Sequence, residues 1–81
     1  MDDPSLSDTR PFMMDLWRKH RFRTDIVARR AEVSEGTVLA LLRFQAVESG
    51  DAVKVLAALS SLYQQEYTLE TVHVKLIREN V

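Results

Sequence analysis

Apolar side chains recur at helical spacing in two short segments near the middle of the chain. In the first segment, Val27 and Ala31 are four residues apart; in the second, Val38 is followed by Leu41 at i+3. Residues spaced by three or four share one face of an α-helix, so the pattern predicts two short helices within residues 24–43. The positions that would face inward are Val27, Ala28, Ala31, Val38, Leu41 and Leu42.

A tight turn is predicted between the two segments. A single continuous helix would be interrupted near Glu32, Val33 and Ser34. With a turn there, Val33 fills the angle between the helices. The Ser34 hydroxyl can accept a hydrogen bond from an unpaired N–H at the start of the second helix. This order of elements is the helix-turn-helix arrangement.

The segment resembles the helix-turn-helix of the Cro/phage-repressor (XRE-like) family of DNA-binding proteins, and the resemblance extends over roughly residues 16–72. Two positions depart from the family pattern. Glu32 stands where the family usually has Gly, so Glu32 must adopt a left-handed conformation at some cost, or the turn differs. Thr24 stands where Gln often begins the first helix of the pair. The matching residues are Val27, Ala28, Ala31, Val33, Ser34, Thr37, Val38 and Leu41.

Further helices are predicted on both sides of this unit. Helix one is predicted from Phe12 to His20 with Pro11 in its first turn, helix two begins at Thr24, and helix three runs from Glu35 to Arg43. Helix four is predicted over Asp51–Tyr63, capped by Ser49 or Asp51, and a last short helix over Leu69–Val72. The fold class expected is all-α: a compact four- to five-helix repressor-like bundle. The other inward residues expected are Met13, Leu16, Trp17, His20, Phe22, Val47, Ala52, Val55, Leu56, Leu59 and Leu62.

The two ends of the chain differ in pattern from the middle. Residues 1–10 have little to bury and are expected to form a flexible arm, and residues 11–81 to form the domain. After His73 the alternation of β-branched and polar residues favours a short extended segment. A lone strand leaves its backbone groups unpaired. Two alternatives are open: the segment pairs antiparallel with its copy in a homodimer, or it folds over its own core.

Composition narrows the classes of protein that remain. The chain has 81 residues, 46% of them hydrophobic, with two Gly, two Pro and no Cys. These values fit one small helical domain without disulfides or thiolate metal sites, as expected for a cytoplasmic protein. No apolar run is long enough to span a membrane, and the N-terminus does not resemble a signal peptide.

The net charge of −1 conceals a polarised chain. Residues 16–43 contain seven basic and three acidic residues, a balance of +4, and the remainder contains four basic and nine acidic residues, a balance of −5. A local positive field is what contact with phosphate requires. An Arg-rich solvated surface without a partner would give the same counts.

The family resemblance implies that helix three lies in the major groove of double-stranded DNA. Arg43 would pair with guanine or with phosphate, and Glu35 would accept from cytosine N4. Arg23 and Thr24, with the N-terminus of helix two, would hold a phosphate. Gly36 would allow close approach. The residues expected at the interface are Arg23, Thr24, Ser34, Glu35, Gly36, Thr37, Leu39, Ala40 and Arg43.

Other functions have less support in the sequence. Because Leu39 and Ala40 are apolar, the alternative is a protein–protein interaction module that uses the exposed face of helix three. An enzyme is not expected, because His20 and His73 are far apart and no nucleophile motif or phosphate-binding loop is present. No cofactor, metal or small-molecule site is expected. The expected partners are double-stranded DNA and a second copy of the chain.

Overall fold

The structure, a computed structural model, describes residues 10–77. Four α-helices make up most of this part of the chain. They are α1 (Met13–His20), α2 (Thr24–Ala31), α3 (Glu35–Leu42) and α4 (Ser49–Tyr63). The helix α2 packs against both α3 and α4, and α1 packs against α3. The predicted all-α class is confirmed. Nine of the ten residues of the predicted N-terminal arm lie outside the described residues.

All four helices contribute to one apolar core, and among residues 10–77 no charged or polar residue is buried in it. The burial follows the predicted stripes, with half-buried Trp17, His20, Leu42 and Leu62 at the margin. Phe22 and Val47, expected to turn inward from the loops, are 5% and 6% exposed. The fully buried larger side chains are Met13, Val27, Val38, Leu41, Val55, Leu56, Leu59 and Val72.

Each helix is followed, within two residues, by a non-glycine residue in the left-handed conformation. Their φ angles are 53° at Arg21, 60° at Glu32, 57° at Phe44 and 54° at Gln64. Glycine has no Cβ to clash in this conformation, whereas other residues pay about 1–2 kcal/mol. Neither glycine of the chain has a positive φ. The helices therefore end under mild backbone strain that the sequence does not relieve.

Three helix ends differ from the predictions by one or two residues. The helix α1 begins at Met13, so Pro11 precedes it, and the Asp15 carboxylate accepts the Phe12 N–H at 2.9 Å. The helix α3 ends at Leu42, with Arg43 as its C-cap. The helix α4 begins at Ser49, and Glu48 occupies the N-cap position without a side-chain cap. The predicted caps of α4 were wrong because the helix extends past both candidates.

The predicted short helix over Leu69–Val72 was wrong, because these residues form a single turn. The Val72 N–H donates to the Thr68 carbonyl at 3.0 Å, and no regular helix follows within the described residues. The Thr68 N–H donates instead to the Thr71 hydroxyl at 2.8 Å, and the Glu70 N–H donates to the Thr68 hydroxyl at 3.2 Å. Threonine side chains thus compete with the backbone bonds that would prolong a helix.

Residues 73–77 are extended, as predicted, and pair with their own chain. The His73 N–H donates to the Pro11 carbonyl at 2.8 Å. Val47 donates its N–H to the Lys75 carbonyl at 3.0 Å and accepts the Ile77 N–H at 2.8 Å. Of the two alternatives for this segment, the described part therefore folds over its own core. This pairing joins the end of the domain to the entry of α1 and to the α3–α4 loop.

Candidate nucleic-acid interface

A three-residue turn separates α2 from α3, in the two-helix unit formed by residues 24–43. Glu32 has φ 60° and ψ 42°, so it adopts the left-handed conformation expected at a cost. The Val33 N–H donates to the Ala28 carbonyl at 3.0 Å, which satisfies a carbonyl at the end of α2. Val33 is half-buried against the core. The turn thus interrupts the helical path, and α2 and α3 remain distinct helices.

Ser34 caps α3 as predicted. Its hydroxyl accepts the Thr37 N–H at 3.2 Å and lies 3.1 Å from the Thr37 hydroxyl. Both hydroxyls are therefore occupied in fixing the start of the helix. Ser34 is exposed and Thr37 is half-buried. A hydrogen bond from either hydroxyl to a ligand would compete with these existing bonds.

One face of α3 is exposed while the other is deep in the core. Val38 and Leu41 are 0% and 2% exposed, whereas Leu39 is 36% exposed. Glu35 and Gly36 are exposed at the start of the helix. The helix is therefore not enclosed by neighbouring segments among residues 10–77. This accessible face is the surface expected to meet a partner.

Ala40 was predicted to lie on the exposed face of α3, but only part of its surface is exposed. It is half-buried and packs against the core. The helix α3 contacts α1, α2 and α4. Neighbouring helices therefore cover more of its surface than they would if it packed through a single face. The prediction that Ala40 faces a partner is corrected accordingly.

Thr24 and Glu35, predicted separately as interface residues, are bonded to each other. The Thr24 hydroxyl donates to Glu35 Oε2 at 2.7 Å, which joins the first residue of α2 to the first residue of α3. A carboxylate therefore lies beside the N-terminus of α2, where a phosphate was expected. The partial positive charge of a helix N-terminus favours either anion.

Arg23, just before α2, is also paired within the chain. Its guanidinium donates to both carboxylate oxygens of Asp25, from Nε to Oδ1 at 3.2 Å and from Nη2 to Oδ2 at 3.0 Å. The Arg23 side chain is 71% exposed, so this ion pair is worth at most about 1 kcal/mol and a phosphate could replace it. No side chain caps the N-terminus of α2.

Arg43 is the C-cap of α3, at the end of the helix opposite Glu35. It is exposed, and among the described residues its guanidinium has no hydrogen-bond or ion-pair partner. It borders an open hollow of about 350 Å³ between α1 and α3, together with Met14 and Leu39. Arg18 and Arg43 border a second hollow, so two cations flank this end of α3.

A ring cluster holds the C-terminal end of α1 against α4 and lies apart from these residues. His20 Nε2 and the Tyr67 hydroxyl are 2.8 Å apart, and the His20 ring stacks on Tyr63 with centroids 3.9 Å apart. Burial, and secondarily the charge of Lys19, lowers the pKa of His20 below its usual value. Burial raises the pKa of Tyr67, and Tyr63 adds to the shift. The cluster positions α1, as expected for a packing histidine.

No family model, curated protein or solved structure matches the chain in the three comparisons made. Within residues 10–77, no group of three or more acidic or histidine side chains is placed to hold a metal ion. No helix in that part of the chain is long and apolar enough to cross a membrane.

The sequence pattern did not predict the bonds of Arg23 to Asp25 and of Thr24 to Glu35, or the hollow beside Arg43. The Arg23–Asp25 pair had a signal, because opposite charges two residues apart flank the start of a helix. The Thr24–Glu35 bond depends on how two helices meet, and no local pattern encodes that angle. Met14, 38% exposed, lies off the apolar stripe of α1 and so gave no indication of a role.

Proposed function

We propose that this chain is a sequence-specific, double-stranded DNA-binding domain of a repressor-like transcriptional regulator. The observation that supports the proposal most is the exposed face of α3, presented directly after the sharp turn at Glu32. In the helix-turn-helix mode, the second helix enters the major groove and its N-terminal residues contact base edges. The proposal therefore assigns base contacts to α3 and backbone contacts to the start of α2.

The assigned roles follow from side-chain chemistry and exposure. Arg43, whose guanidinium is unengaged, pairs with guanine O6 and N7 or holds a phosphate, and Leu39 meets a thymine methyl group. Gly36 brings the backbone of α3 close to the duplex. Arg23 and Thr24 hold a phosphate once their carboxylate partners are displaced.

Charge supports the same surface. Of the seven basic residues in residues 16–43, Arg18 and Arg43 border the same hollow beside α3, whereas Arg30 donates to Ser61 on α4. Phosphate contacts supply much of the affinity of such proteins and make it fall steeply with salt. A chain of net charge −1 can bind DNA when its cations are concentrated on one side.

The proposal includes a homodimer. Among residues 10–77, the backbone groups of Val74 and Leu76 have no backbone partner, because the adjacent His73, Lys75 and Ile77 make the bonds to the chain's own core. An open strand edge can pair with the same edge of a second copy. Two copies would bind half-sites about one helical turn, roughly 34 Å, apart.

The test is the affinity of the chain for duplexes selected from random sequence, measured over a salt series. We expect binding at low salt that weakens linearly in log–log form as salt rises. A mixed-sequence duplex of the same length is the control and should bind more weakly. Absence of binding at low salt, or binding without a salt slope, would exclude the proposal.

A protein–protein interaction module is the second candidate, and the hollow between α1 and α3 favours it. Met14, Trp17, Leu39 and Leu42 border this hollow, which could take an apolar side chain of a partner. The sequence of α3 also favours this candidate, because residues 38–42 are apolar on all sides of the helix. Apolar surface at the centre of a contact is typical of protein interfaces.

Leu39→Lys distinguishes the two candidates. A lysine at this exposed position would abolish an apolar protein contact, yet it would maintain or increase affinity for mixed-sequence DNA. Circular dichroism should be unchanged, since Leu39 is exposed and is not part of the core. Increased DNA affinity supports the first candidate; loss of a protein partner with no DNA binding in either form supports the second.

A further inference from the structure

The first residues of α2 and α3 are joined by a hydrogen bond whose acceptor is a carboxylate. The negative charge of a carboxylate is unfavourable for DNA binding. Thr24 begins α2, Glu35 begins α3, and the Thr24 hydroxyl donates to Glu35 Oε2 at 2.7 Å. Glu35 is exposed, so its carboxylate is negatively charged and accessible at the surface assigned to DNA. A phosphate that approaches this point meets a like charge and a hydroxyl that is already donating.

We infer that Glu35 determines specificity, because its carboxylate competes with phosphate for Thr24 and lowers the affinity for DNA of arbitrary sequence. The inference rests on the proposed function and specifies how the same surface discriminates. A protein can gain specificity by weakening its contacts with incorrect partners as well as by strengthening those with the correct one.

A correct base pair compensates for this cost. A carboxylate can accept a hydrogen bond from cytosine N4 in the major groove, whereas the amino donor of adenine lies beside its N7 acceptor, which repels a carboxylate. Glu35 then leaves Thr24, whose hydroxyl becomes available to donate to the phosphate. On any other sequence the repulsion remains without compensation. The carboxylate therefore lowers nonspecific affinity more than specific affinity.

The arrangement around Arg23 acts in the same direction. Its guanidinium is engaged by Asp25 at 3.0 Å, so a second carboxylate must be displaced before this cation meets a phosphate. The Arg23–Asp25 pair is local to the start of α2, whereas the Thr24–Glu35 bond joins two helices. Only the latter places its carboxylate on the helix assigned to the bases, so Glu35 is the residue to test.

Glu35→Gln is the informative substitution, with Glu32→Gln as its matched control. Glutamine keeps the length of the side chain and can still accept the Thr24 hydroxyl through its carbonyl, so mainly the charge changes. Glu32→Gln removes the same charge from the same two-helix unit but at the turn, where Glu32 has no side-chain bond among the described residues. Circular dichroism verifies that both variants fold.

The experiment measures the dissociation constants of the full 81-residue chain and both variants for two duplexes: one recovered by selection on the unaltered chain, and one of mixed sequence. We expect Glu35→Gln to increase mixed-sequence affinity by about 1.5- to fivefold, the range typical of exposed charge pairs. The ratio of selected to mixed affinity should fall by at least the same factor. Glu32→Gln should leave that ratio unchanged.

The outcomes separate the inference from the proposed function. If the unaltered chain binds the selected duplex specifically and both variants change its ratio equally, Glu35 acts only through net charge and the inference is overturned. The same holds if Glu35→Gln leaves the ratio unchanged. If neither the unaltered chain nor either variant binds any duplex at low salt, the proposed function fails and the inference fails with it.

Discussion

Glu32 is the residue at which the chain departs most clearly from an ideal turn. Its φ of 60° places an acidic side chain where glycine would avoid the Cβ clash. The N–H of the next residue, Val33, nevertheless donates to Ala28 and closes α2 in the geometry that glycine usually provides. The sequence therefore predicted the position of the strain correctly, and the structure resolves the alternative in favour of a strained Glu32 and not a different turn.

Glu32→Gly is expected to stabilise the folded protein. Relief of the left-handed strain is worth about 1–2 kcal/mol, and the greater freedom of glycine in the unfolded chain offsets about 0.5–1 kcal/mol of it. Urea denaturation should therefore show a free energy of unfolding higher by about 0.5–1 kcal/mol. Glu32→Asn is the control, since it removes the charge and tolerates the same conformation. A lower free energy for Glu32→Gly would contradict the assigned backbone strain.

Gly36 and Gly50 offer a matched comparison, because both are exposed and lie in the first turn of a helix. A Cβ at Gly36 would be 3.8 Å from Ser34 Oγ, and one at Gly50 would meet nothing within 4 Å. Either alanine should stabilise its helix by up to about 1 kcal/mol. Only Gly36→Ala should weaken DNA binding, because only Gly36 is on α3. Equal affinities of the two variants for a selected duplex would exclude close approach at Gly36.

At the scale of the elements, α3 has two ends with different roles. Its N-terminal end is fixed by Ser34 and joined to α2 through Glu35, whereas its C-terminal end carries an unengaged Arg43. Contacts with bases and contacts with phosphates are therefore expected to be separable by mutation. Base contacts are assigned to both ends of α3, at Glu35 and Arg43, and phosphate contacts to Arg23 and Thr24 at the start of α2.

Arg43→Ala and Arg23→Ala should have different effects on DNA binding. Loss of a bidentate contact between Arg43 and guanine would cost about 1–3 kcal/mol on the selected duplex and relax sequence preference there. Arg23→Ala should weaken binding to all sequences and reduce the salt slope by about one. Titrations of both variants against selected and mixed duplexes provide the measurement. The same uniform loss for both variants would mean that Arg43 contacts phosphate only.

The end of α1 links pH to stability through His20. The pKa of His20 is lowered by burial, so below its ordinary value of 6.5 the unfolded chain binds a proton before the folded chain does. Stability from this group is therefore complete above about pH 6.5 and decreases as the pH falls towards the folded pKa. We expect the midpoint temperature of thermal denaturation to decrease as the pH is lowered from about 7.5 to about 5.5.

His20→Gln, which lacks the imidazole, should show a smaller decrease over the same pH range, and His73→Gln is the control for loss of a histidine elsewhere. Thermal denaturation followed by circular dichroism measures both. Parallel curves for the unaltered chain and His20→Gln would mean that His20 does not carry the pH dependence.

At the scale of the whole molecule, helix positions and the core were largely predictable because each helix has an apolar face with regular spacing. Val55, Leu56 and Leu59 at i, i+1 and i+4 define α4 from sequence alone, and all three are fully buried. Residues 69–72 were not predictable by the same rule, since the Thr68 and Thr71 hydroxyls bond to the backbone there. The candidate interface was also predictable only in part. The exposure of Leu39 follows from helical periodicity, but the Thr24–Glu35 bond depends on how two helices are arranged.

The central claim is that the exposed face of α3 meets double-stranded DNA. The most direct measurement is the change in backbone amide chemical shifts when a selected duplex is added at about 50 mM salt, where phosphate contacts are strong. The account predicts the largest changes at Glu35, Gly36, Leu39 and Arg43 and at the start of α2, with little change on the solvent face of α4. No change anywhere, or the largest changes on α4, would contradict it.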